Sequence, residues 1–168
     1  ARAVNDKFVE GYKGILYGGF MATTNGVKLI EYNARFGDPE AMNVLSLLES
    51  DFIEICNGIA GGTLDKIDVQ FLKKATVCKY AVPEGYPDNP IKGKSVDVSQ
   101  IENPDGLFYA SVDFKGASLV EAGSRTIAVV GIADTISKAE IIAEKEVSPI
   151  GGPFFHRNDM HQSLELHK

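Results

Sequence analysis

The feature that most limits how this chain can fold is the pair Asn25-Gly26, which lies between two strand-like runs. The first run is ILYGGFMAT, residues 15–23, and the second is VKLIEYNAR, residues 27–35. Asn-Gly is favoured in tight antiparallel turns, because both positions tolerate a left-handed backbone. The sequence therefore predicts a β-hairpin. Side chains alternate along a strand, so the second run should present two faces. We expect one face to hold Val27, Leu29, Glu31 and Asn33, and the other to hold Lys28, Ile30, Tyr32 and Ala34.

A helix is predicted directly after the hairpin. Asp38 is a favourable N-cap residue, Pro39 suits the first helical position, and Glu40 adds an acidic group to the first turn. The apolar face of this helix should consist of Ala41, Val44, Leu45 and Leu48. A second helix is expected to begin at Ser50 or Asp51 and to end at Gly61-Gly62. Its buried side chains should be Ile53, Ile55, Cys56 and Ile59.

The chain changes character at about residue 75, where short strand-like runs separated by turns begin. These runs are ATVCKYAV (75–82), LFYASVDF (107–114), ASLVEAG (117–123) and RTIAVVGIA (125–133). Thr135 is a suitable cap for a helix that continues to about Val147. The proline-rich segment 83–93 is predicted to be a structured loop.

We therefore predict an α+β fold with two domains. Residues 1–65 should form a strand hairpin with two helices, and residues 75–168 a small antiparallel β-sheet domain with one or two helices. Residues 66–74 are the predicted linker. A helix is also expected before Gly14, with Ala3, Val4, Phe8 and Tyr12 at helical spacing, as though the chain began inside a domain.

Composition narrows the function. The chain has 168 residues and a net charge of −6, without a cluster of lysines and arginines, so nucleic acid and anionic membrane surfaces are not expected partners. No apolar run approaches the ~20 residues that a membrane span requires. Cys56 and Cys78 stand apart in apolar surroundings and are predicted to be buried, reduced thiols of a cytoplasmic protein.

Glu31 and Asn33 are the candidate metal ligands. Alternate residues on a strand project to the same side, so an anionic and a neutral oxygen can converge on one cation, as hard Mg²⁺ requires. Arg35 is expected next on this face, where its guanidinium can bind a phosphate or carboxylate. Gly37 permits close approach to a ligand, and Asp38 opens a helix whose N-terminus favours an anion. On spacing alone, an exposed strand end followed by an ordinary helix cap explains these residues equally well.

A family resemblance supports the metal-site interpretation. The segment YKGILYGGFMATTNGVKLIEYNARFGDPEAMNVLSLLESDF resembles the ATP-grasp family of phosphoribosylamine–glycine ligases, most specifically in its E-Y-N-A-R-F-G-D-P-E block. The motif AVPEGYP with Gly93, the unit GSRTIAVVGIADTISKAEIIAEKEV and the motif FFHRNDM are similar to later parts of the same family. The resemblance covers nearly the whole chain and is strongest over residues 11–52.

The resemblance implies a reaction and a set of roles. Such ligases join glycine to 5-phosphoribosylamine with ATP, through a glycyl phosphate, in purine biosynthesis. By this resemblance, Glu31 and Asn33 would hold Mg²⁺ or Mn²⁺, and Arg35 would act catalytically on the γ-phosphate or the acyl phosphate. Gly37 and Asp38 would bind substrate. In the second region, the side chains that can approach the ribose phosphate are Gly85, Tyr86, Arg125 and Arg157.

The resemblance also sets the expected architecture and leaves two alternatives. Residues 1–65 would be the C-terminal part of an ATP-grasp core, so we expect this chain alone to be inactive and to associate through an exposed sheet edge. One alternative is another ATP-grasp carboxylate–amine ligase, and the other is a non-catalytic module that keeps the fold.

Overall fold

The computed structural model describes residues 6–7 and 11–158. The helix predicted from Ala3, Val4 and Phe8 lies outside these residues, as does the end of the FFHRNDM motif. The chain divides into two compact units, Ala1–Leu72 and Lys73–Lys168.

The predicted hairpin is confirmed in the first unit. Strand β1 is Tyr17–Thr23 and strand β2 is Gly26–Asn33, and the two pair antiparallel. Gly26 adopts a φ of +90°, a left-handed conformation that favours glycine. Thr23 donates from Oγ1 to the Gly26 carbonyl oxygen at 2.7 Å, which closes the turn.

The predicted strand faces are partly wrong, because β2 contains a β-bulge. Phe20 pairs with Leu29, but Gly19 pairs with Glu31, so one extra residue of β2 lies between these pairs. Directly paired residues share a face, and Gly18 pairs with Tyr32. Leu29 therefore lies on the face of Phe20 and Tyr32, whose rings meet edge to face at 6.0 Å, and not on the face of Glu31.

The expectation that apolar side chains bury the start of β2 is wrong as well. Val27 is 70% exposed and Leu29 is 50% exposed. Within the described residues of the first unit, β1 and β2 form a sheet of two strands only. A hairpin without a further layer leaves its apolar side chains in solvent.

The first helix begins later than predicted. Helix α1 is Glu40–Leu45, with Pro39 at the cap position and no side-chain cap, so Asp38 is not the N-cap. The Asp38–Pro39 peptide bond is cis. With six residues, α1 contributes a much weaker dipole at its N-terminus than the longer predicted helix would.

The second helix follows its predicted signals closely. Helix α2 is Phe52–Gly61, and Asp51 accepts hydrogen bonds at Oδ1 from the backbone N–H groups of Ile53 and Glu54. Gly62 ends it in the left-handed conformation. Ile55 is buried as predicted, whereas Ile53 and Cys56 are exposed, which corrects two of the predicted inner positions.

The segment after α2 forms hydrogen bonds with the residues that precede this helix. A short 3₁₀ turn, Leu64–Lys66, follows the helix. The Leu72 N–H donates to the Leu47 carbonyl at 2.8 Å, and the Glu49 N–H donates to the Gln70 carbonyl at 3.0 Å. The limits 1–65, 66–74 and 75–168 remain a prediction.

The second unit is built on an antiparallel sheet of four strands in the order β4-β7-β3-β8. Its strands are β3 (Ala75–Pro83), β4 (Leu107–Tyr109), β7 (Ile127–Ala133) and β8 (Phe154–Phe155). A separate hairpin consists of β5 (Val112–Lys115) and β6 (Ser118–Glu121). The predicted single strand 107–114 is thus interrupted at residues 110–111. The α+β fold class is confirmed.

One helix covers this sheet. Helix α3 is Ile136–Val147, and Thr135 accepts from the Lys138 N–H at 3.3 Å, as the predicted cap should. The helix can approach the sheet closely because Gly131 has no side chain: a Cβ there would lie 2.0 Å from the Ala139 carbonyl oxygen. The core between the layers includes Val77, Ala81, Ile127, Val129, Ala139, Ala143 and Val147.

The loop 83–93 is held by backbone hydrogen bonds, as predicted. The Asn89 N–H donates to the Gly85 carbonyl at 2.8 Å, and the Ile91 N–H donates to the Glu84 carbonyl at 3.0 Å. Among the helices of residues 6–7 and 11–158, none is both long enough and apolar enough to span a bilayer.

Candidate metal and substrate site

The candidate site lies on one face of the hairpin in the first unit. Tyr17 pairs directly with Asn33, and Gly19 pairs with Glu31. Paired residues share a face, so these four positions belong together. A Cβ added at Gly19 would lie 3.7 Å from the Cγ of Glu31, in van der Waals contact with the side chain that carries this carboxylate.

Glu31 and Asn33 converge as predicted. Asn33 donates from Nδ2 to Oε1 of Glu31 at 2.9 Å, and Glu31 is exposed while Asn33 is half-buried. A carboxylate and a carboxamide in contact at an accessible strand end offer the oxygen donors that Mg²⁺ and Mn²⁺ bind. Within the described ranges, no three His, Cys, Asp or Glu side chains meet as a metal cluster. The contact between Glu31 and Asn33 fits an ion that takes oxygen ligands from these two side chains and completes its shell with phosphate and water.

Arg35 is not brought to this face by the strand. Strand β2 ends at Asn33, and the exposed Arg35 donates from Nη1 to the carbonyl oxygen of Phe36 at 2.7 Å. The alternation that was expected to align Arg35 with Glu31 does not extend beyond the end of the strand. The role of Arg35 remains a prediction.

The turn that follows brings two further side chains to the site. Tyr17 donates from its hydroxyl to Oε1 of Glu40 at 2.9 Å. Gly37 is buried between them, since a Cβ there would lie 2.5 Å from Oε2 of Glu40 and 3.1 Å from the Tyr17 ring. Asp38 is exposed. Sequence reasoning assigned a close approach to Gly37 but did not identify Tyr17 or Glu40 as its neighbours.

Electrostatics connect this turn to the metal strand. The pKa of Tyr17 is raised above its ordinary value, first by its hydrogen bond to Glu40, then by partial burial and by the negative charges of Glu40 and Glu31. The phenol therefore lies within the field of both carboxylates and stays a hydrogen-bond donor at neutral pH.

The candidate residues of the second unit have different surroundings. The Arg125 guanidinium lies over the Tyr80 ring, 5.4 Å from its centroid. Gly85 has a φ of +84° in the structured loop, and Tyr86 beside it is half-buried. Arg157 is exposed.

A buried ionic cluster in the second unit was also missed from the sequence. Lys79 on β3 places Nζ 2.5 Å from Oε1 of Glu140 and 2.5 Å from Oε2 of Glu144 on α3. His156 contacts the other oxygen of Glu144 through Nε2 at 3.0 Å, and Ser148 donates to the same oxygen at 3.1 Å. The sequence signal was a lysine inside the apolar run 75–82, opposite a helix face that carries two glutamates.

Two family models match the chain, and the first defines it as an ATP-grasp protein. Residues 3–41 match the family model described as phosphoribosylglycinamide synthetase, ATP-grasp (A) domain. Residues 76–162 match the model of the C domain of the same synthetase.

Full-length relatives agree with both matches. The chain is 56% identical to the phosphoribosylamine–glycine ligase of Methanocaldococcus jannaschii, covering 90% of this chain and 35% of that protein. It is 48% identical to that of Methanosarcina barkeri, covering 99% of this chain and 38% of that protein. The crystal structure of the Thermotoga maritima phosphoribosylamine–glycine ligase is similar, with a TM-score of 0.74 and 27% identity over 89% of this chain and 37% of that one.

This chain belongs to the phosphoribosylglycinamide synthetase family. It spans about a third of the length of the curated relatives that it matches.

Proposed function

We propose that this chain is part of a phosphoribosylamine–glycine ligase, which forms glycinamide ribonucleotide from 5-phosphoribosylamine, glycine and ATP. Membership of the family supports the proposal, and the single observation that carries it is the contact between Glu31 and Asn33. An interaction module that had lost catalysis would not need to hold two oxygen donors together at an accessible strand end.

The reaction proceeds in two steps, a phosphoryl transfer and an acyl transfer. A carboxylate oxygen of glycine attacks the γ-phosphorus of ATP, and ADP leaves with the bonding electron pair, which gives glycyl phosphate. The amine nitrogen of 5-phosphoribosylamine then attacks the acyl carbon, inorganic phosphate leaves, and the nitrogen loses a proton to give the amide. Both steps need negative charge to be stabilised on phosphate oxygens.

Each candidate residue has a role in this scheme. Glu31 and Asn33 hold Mg²⁺ or Mn²⁺, which when bound neutralises charge on the ATP phosphates. Arg35 leaves the Phe36 carbonyl and donates to the γ-phosphate or to the acyl phosphate. Gly37 and Asp38 lie against the glycine and amine side of the pocket.

The same proposal covers domain limits and location. Residues 1–65 are the C-terminal part of an ATP-grasp domain, residues 66–74 are a linker, and residues 75–168 form the small β-rich domain. The protein acts in the cytoplasm, where its two cysteines, exposed Cys56 and buried Cys78, stay reduced.

The experiment uses a chimera, in which this chain replaces the matching third of the Methanocaldococcus jannaschii ligase. We expect the chimera to release ADP only when glycine and 5-phosphoribosylamine are both present, because the relative supplies the remaining two thirds. Glu31→Gln in the chimera should lower kcat at least ~100-fold, since charge stabilisation in the transition state is lost. Glu49→Gln, an exposed carboxylate of the same unit, is the matched control. ADP release that does not depend on glycine, or equal activity of the two variants, would contradict the proposal.

The isolated chain should be inactive, because catalysis requires the other walls of the site to be assembled in advance. ATP-dependent turnover by the purified 168-residue chain would disprove this part of the proposal.

We also propose that the isolated chain associates with itself through the exposed hairpin. Unpaired strand edges and apolar side chains such as Val27 and Ile30, 70% and 61% exposed, favour pairing with a second chain. Sedimentation velocity over a concentration series should show a dimer or larger species, and Val27→Lys should shift it to the monomer. A monomer at every concentration would rule the association out.

A further inference from the structure

Tyr17 links the two segments that make up the candidate site. Its backbone belongs to β1 and pairs with Asn33, while its hydroxyl donates to Glu40 at the start of α1. The residue therefore connects the strand that carries the metal ligands with the turn of residues 36–40.

The Glu40 carboxylate lies beside both Tyr17 and Gly37. Oε1 accepts the Tyr17 hydroxyl at 2.9 Å, and Oε2 lies where a Cβ of Gly37 would be only 2.5 Å away. The Tyr17 ring also contacts Gly37, with two ring carbons 3.1 Å from that Cβ position. A side chain at position 37 would require the end of the Glu40 side chain and the Tyr17 ring to shift.

The turn has its own backbone hydrogen bonds, which make its position measurable. The Ala41 N–H donates to the Gly37 carbonyl at 3.0 Å, and the Met42 N–H donates to the Pro39 carbonyl at 3.0 Å. These two amides report on whether the turn stays closed.

We propose that Tyr17 is a positioning residue that holds the Gly37–Glu40 turn in register with the metal strand through its hydrogen bond to Glu40. The consequence for catalysis rests on the proposed ligase function. In that function the turn carries Gly37 and Asp38, and it must hold substrate at a fixed distance from Glu31 and Asn33. Nucleotide binding depends on the hairpin, whereas placement of glycine depends on the turn.

Tyr17→Phe removes only the hydroxyl oxygen. In the chimeric ligase we expect the KM for glycine to rise and kcat to fall, lowering kcat/KM for glycine by about tenfold, because small displacements of a bound reactant have large effects on rate. The KM for ATP should stay within about twofold, because Glu31 and Asn33 do not move. Glu40→Ala should show the same split, and the double variant should be no worse than either single one.

Tyr12→Phe is the matched control. Tyr12 also donates a hydroxyl hydrogen bond in the first unit, but its acceptor is the Ile15 carbonyl, at 2.7 Å, and not Glu40. It should leave the KM for glycine unchanged.

Hydrogen exchange of the isolated full chain tests the tether, which is the hydrogen bond from Tyr17 to Glu40, and does not require an active enzyme. The Ala41 and Met42 amides should exchange at least about fivefold faster in Tyr17→Phe and at the parent rate in Tyr12→Phe. Unchanged exchange in Tyr17→Phe would refute the tether. Faster exchange with an unchanged KM for glycine would reduce Tyr17 to a structural contact and overturn the positioning role. An inactive parent chimera would instead count against the ligase function, and the exchange result would still decide the tether.

Discussion

Asn33 donates from its carboxamide nitrogen to the Glu31 carboxylate at 2.9 Å, so the two proposed metal ligands already touch each other. The bond can form because side chains two positions apart on a strand project to the same face and are neighbours there. The contact brings the donors together, but it also uses one Glu31 oxygen that a cation would have to take over.

Binding of Mn²⁺ to the isolated chain should therefore be weak and should depend on these two side chains. Two protein ligands are few for such an ion, which ordinarily adds substrate phosphates. Glu31→Gln should weaken Mn²⁺ binding at least ~fivefold, and Asn33→Asp should strengthen it because a second charge is added. Electron paramagnetic resonance of free Mn²⁺ measures both. Glu49→Gln serves as the control, and identical binding by all four proteins would contradict the site.

Lys79→Met should strongly destabilise the second unit. The Lys79 side chain is 1% exposed, and its loss leaves the buried Glu140 without its cation. Removing one partner of a buried pair costs about 3–5 kcal/mol. Lys145→Met is the matched comparison, because Lys145 pairs with Glu102 at 2.5 Å but is 63% exposed, and such surface pairs contribute about 0–1 kcal/mol. Urea unfolding measures both, and equal losses in the two variants would disagree with this expectation.

Acid should destabilise the folded chain, partly by protonating Glu144. Burial by itself raises the pKa of Glu144, but hydrogen bonds from Lys79, His156 and Ser148 outweigh it and lower the pKa from 4.5 to about 2. Folding thus favours the ionised form, so its contribution is complete above about pH 5 and is lost as the pH falls towards about 2. Glu144→Gln should be less stable than the parent at pH 7 and should lose less stability between pH 7 and pH 3. Urea unfolding at several pH values tests this, with the exposed Glu102→Gln expected to follow the parent.

Gly131→Ala should destabilise the contact between α3 and the sheet. The added Cβ would lie 2.0 Å from the Ala139 carbonyl oxygen and 2.7 Å from the Ala143 nitrogen, and backbone atoms cannot rotate away. Overpacking of this kind costs about 1–3 kcal/mol. Gly61→Ala, whose new Cβ would meet nothing closer than 3.6 Å, should be neutral or slightly stabilising in the same thermal unfolding measurement. A Gly131→Ala protein as stable as the parent would show that the helix can shift at little cost.

Local signals predicted much of the fold. Asn25-Gly26, the Asp51 cap and the Thr135 cap each act within a few residues, so the hairpin and helices α2 and α3 appeared where expected. Asp38 was misread because a capping residue is only a preference, and α1 begins at Glu40 instead.

The site was predicted only as far as one strand reaches. Glu31 and Asn33 share a face because they are two positions apart on β2, with Tyr32 between them, and the bulge lies before them. Counting back from the hairpin turn without the bulge would pair Asn33 with Leu16. The observed partner is Tyr17, since one extra residue shifts the register and moves every preceding side chain to the other face.

The sequence by itself determined the hairpin, two helix starts, the α+β class and the convergence of a carboxylate with a carboxamide, because those depend on contacts between residues close in the chain. Only the tertiary structure decided that Tyr17 meets Glu40 across Gly37 and that Lys79 lies between Glu140 and Glu144. These partners are 23, 61 and 65 residues apart, by subtraction of their numbers. Local sequence signals do not determine contacts between residues so far apart in the chain. The Tyr17 contact depends on the register that the β-bulge sets, and the Lys79 contacts depend on how closely α3 packs on the sheet at Gly131.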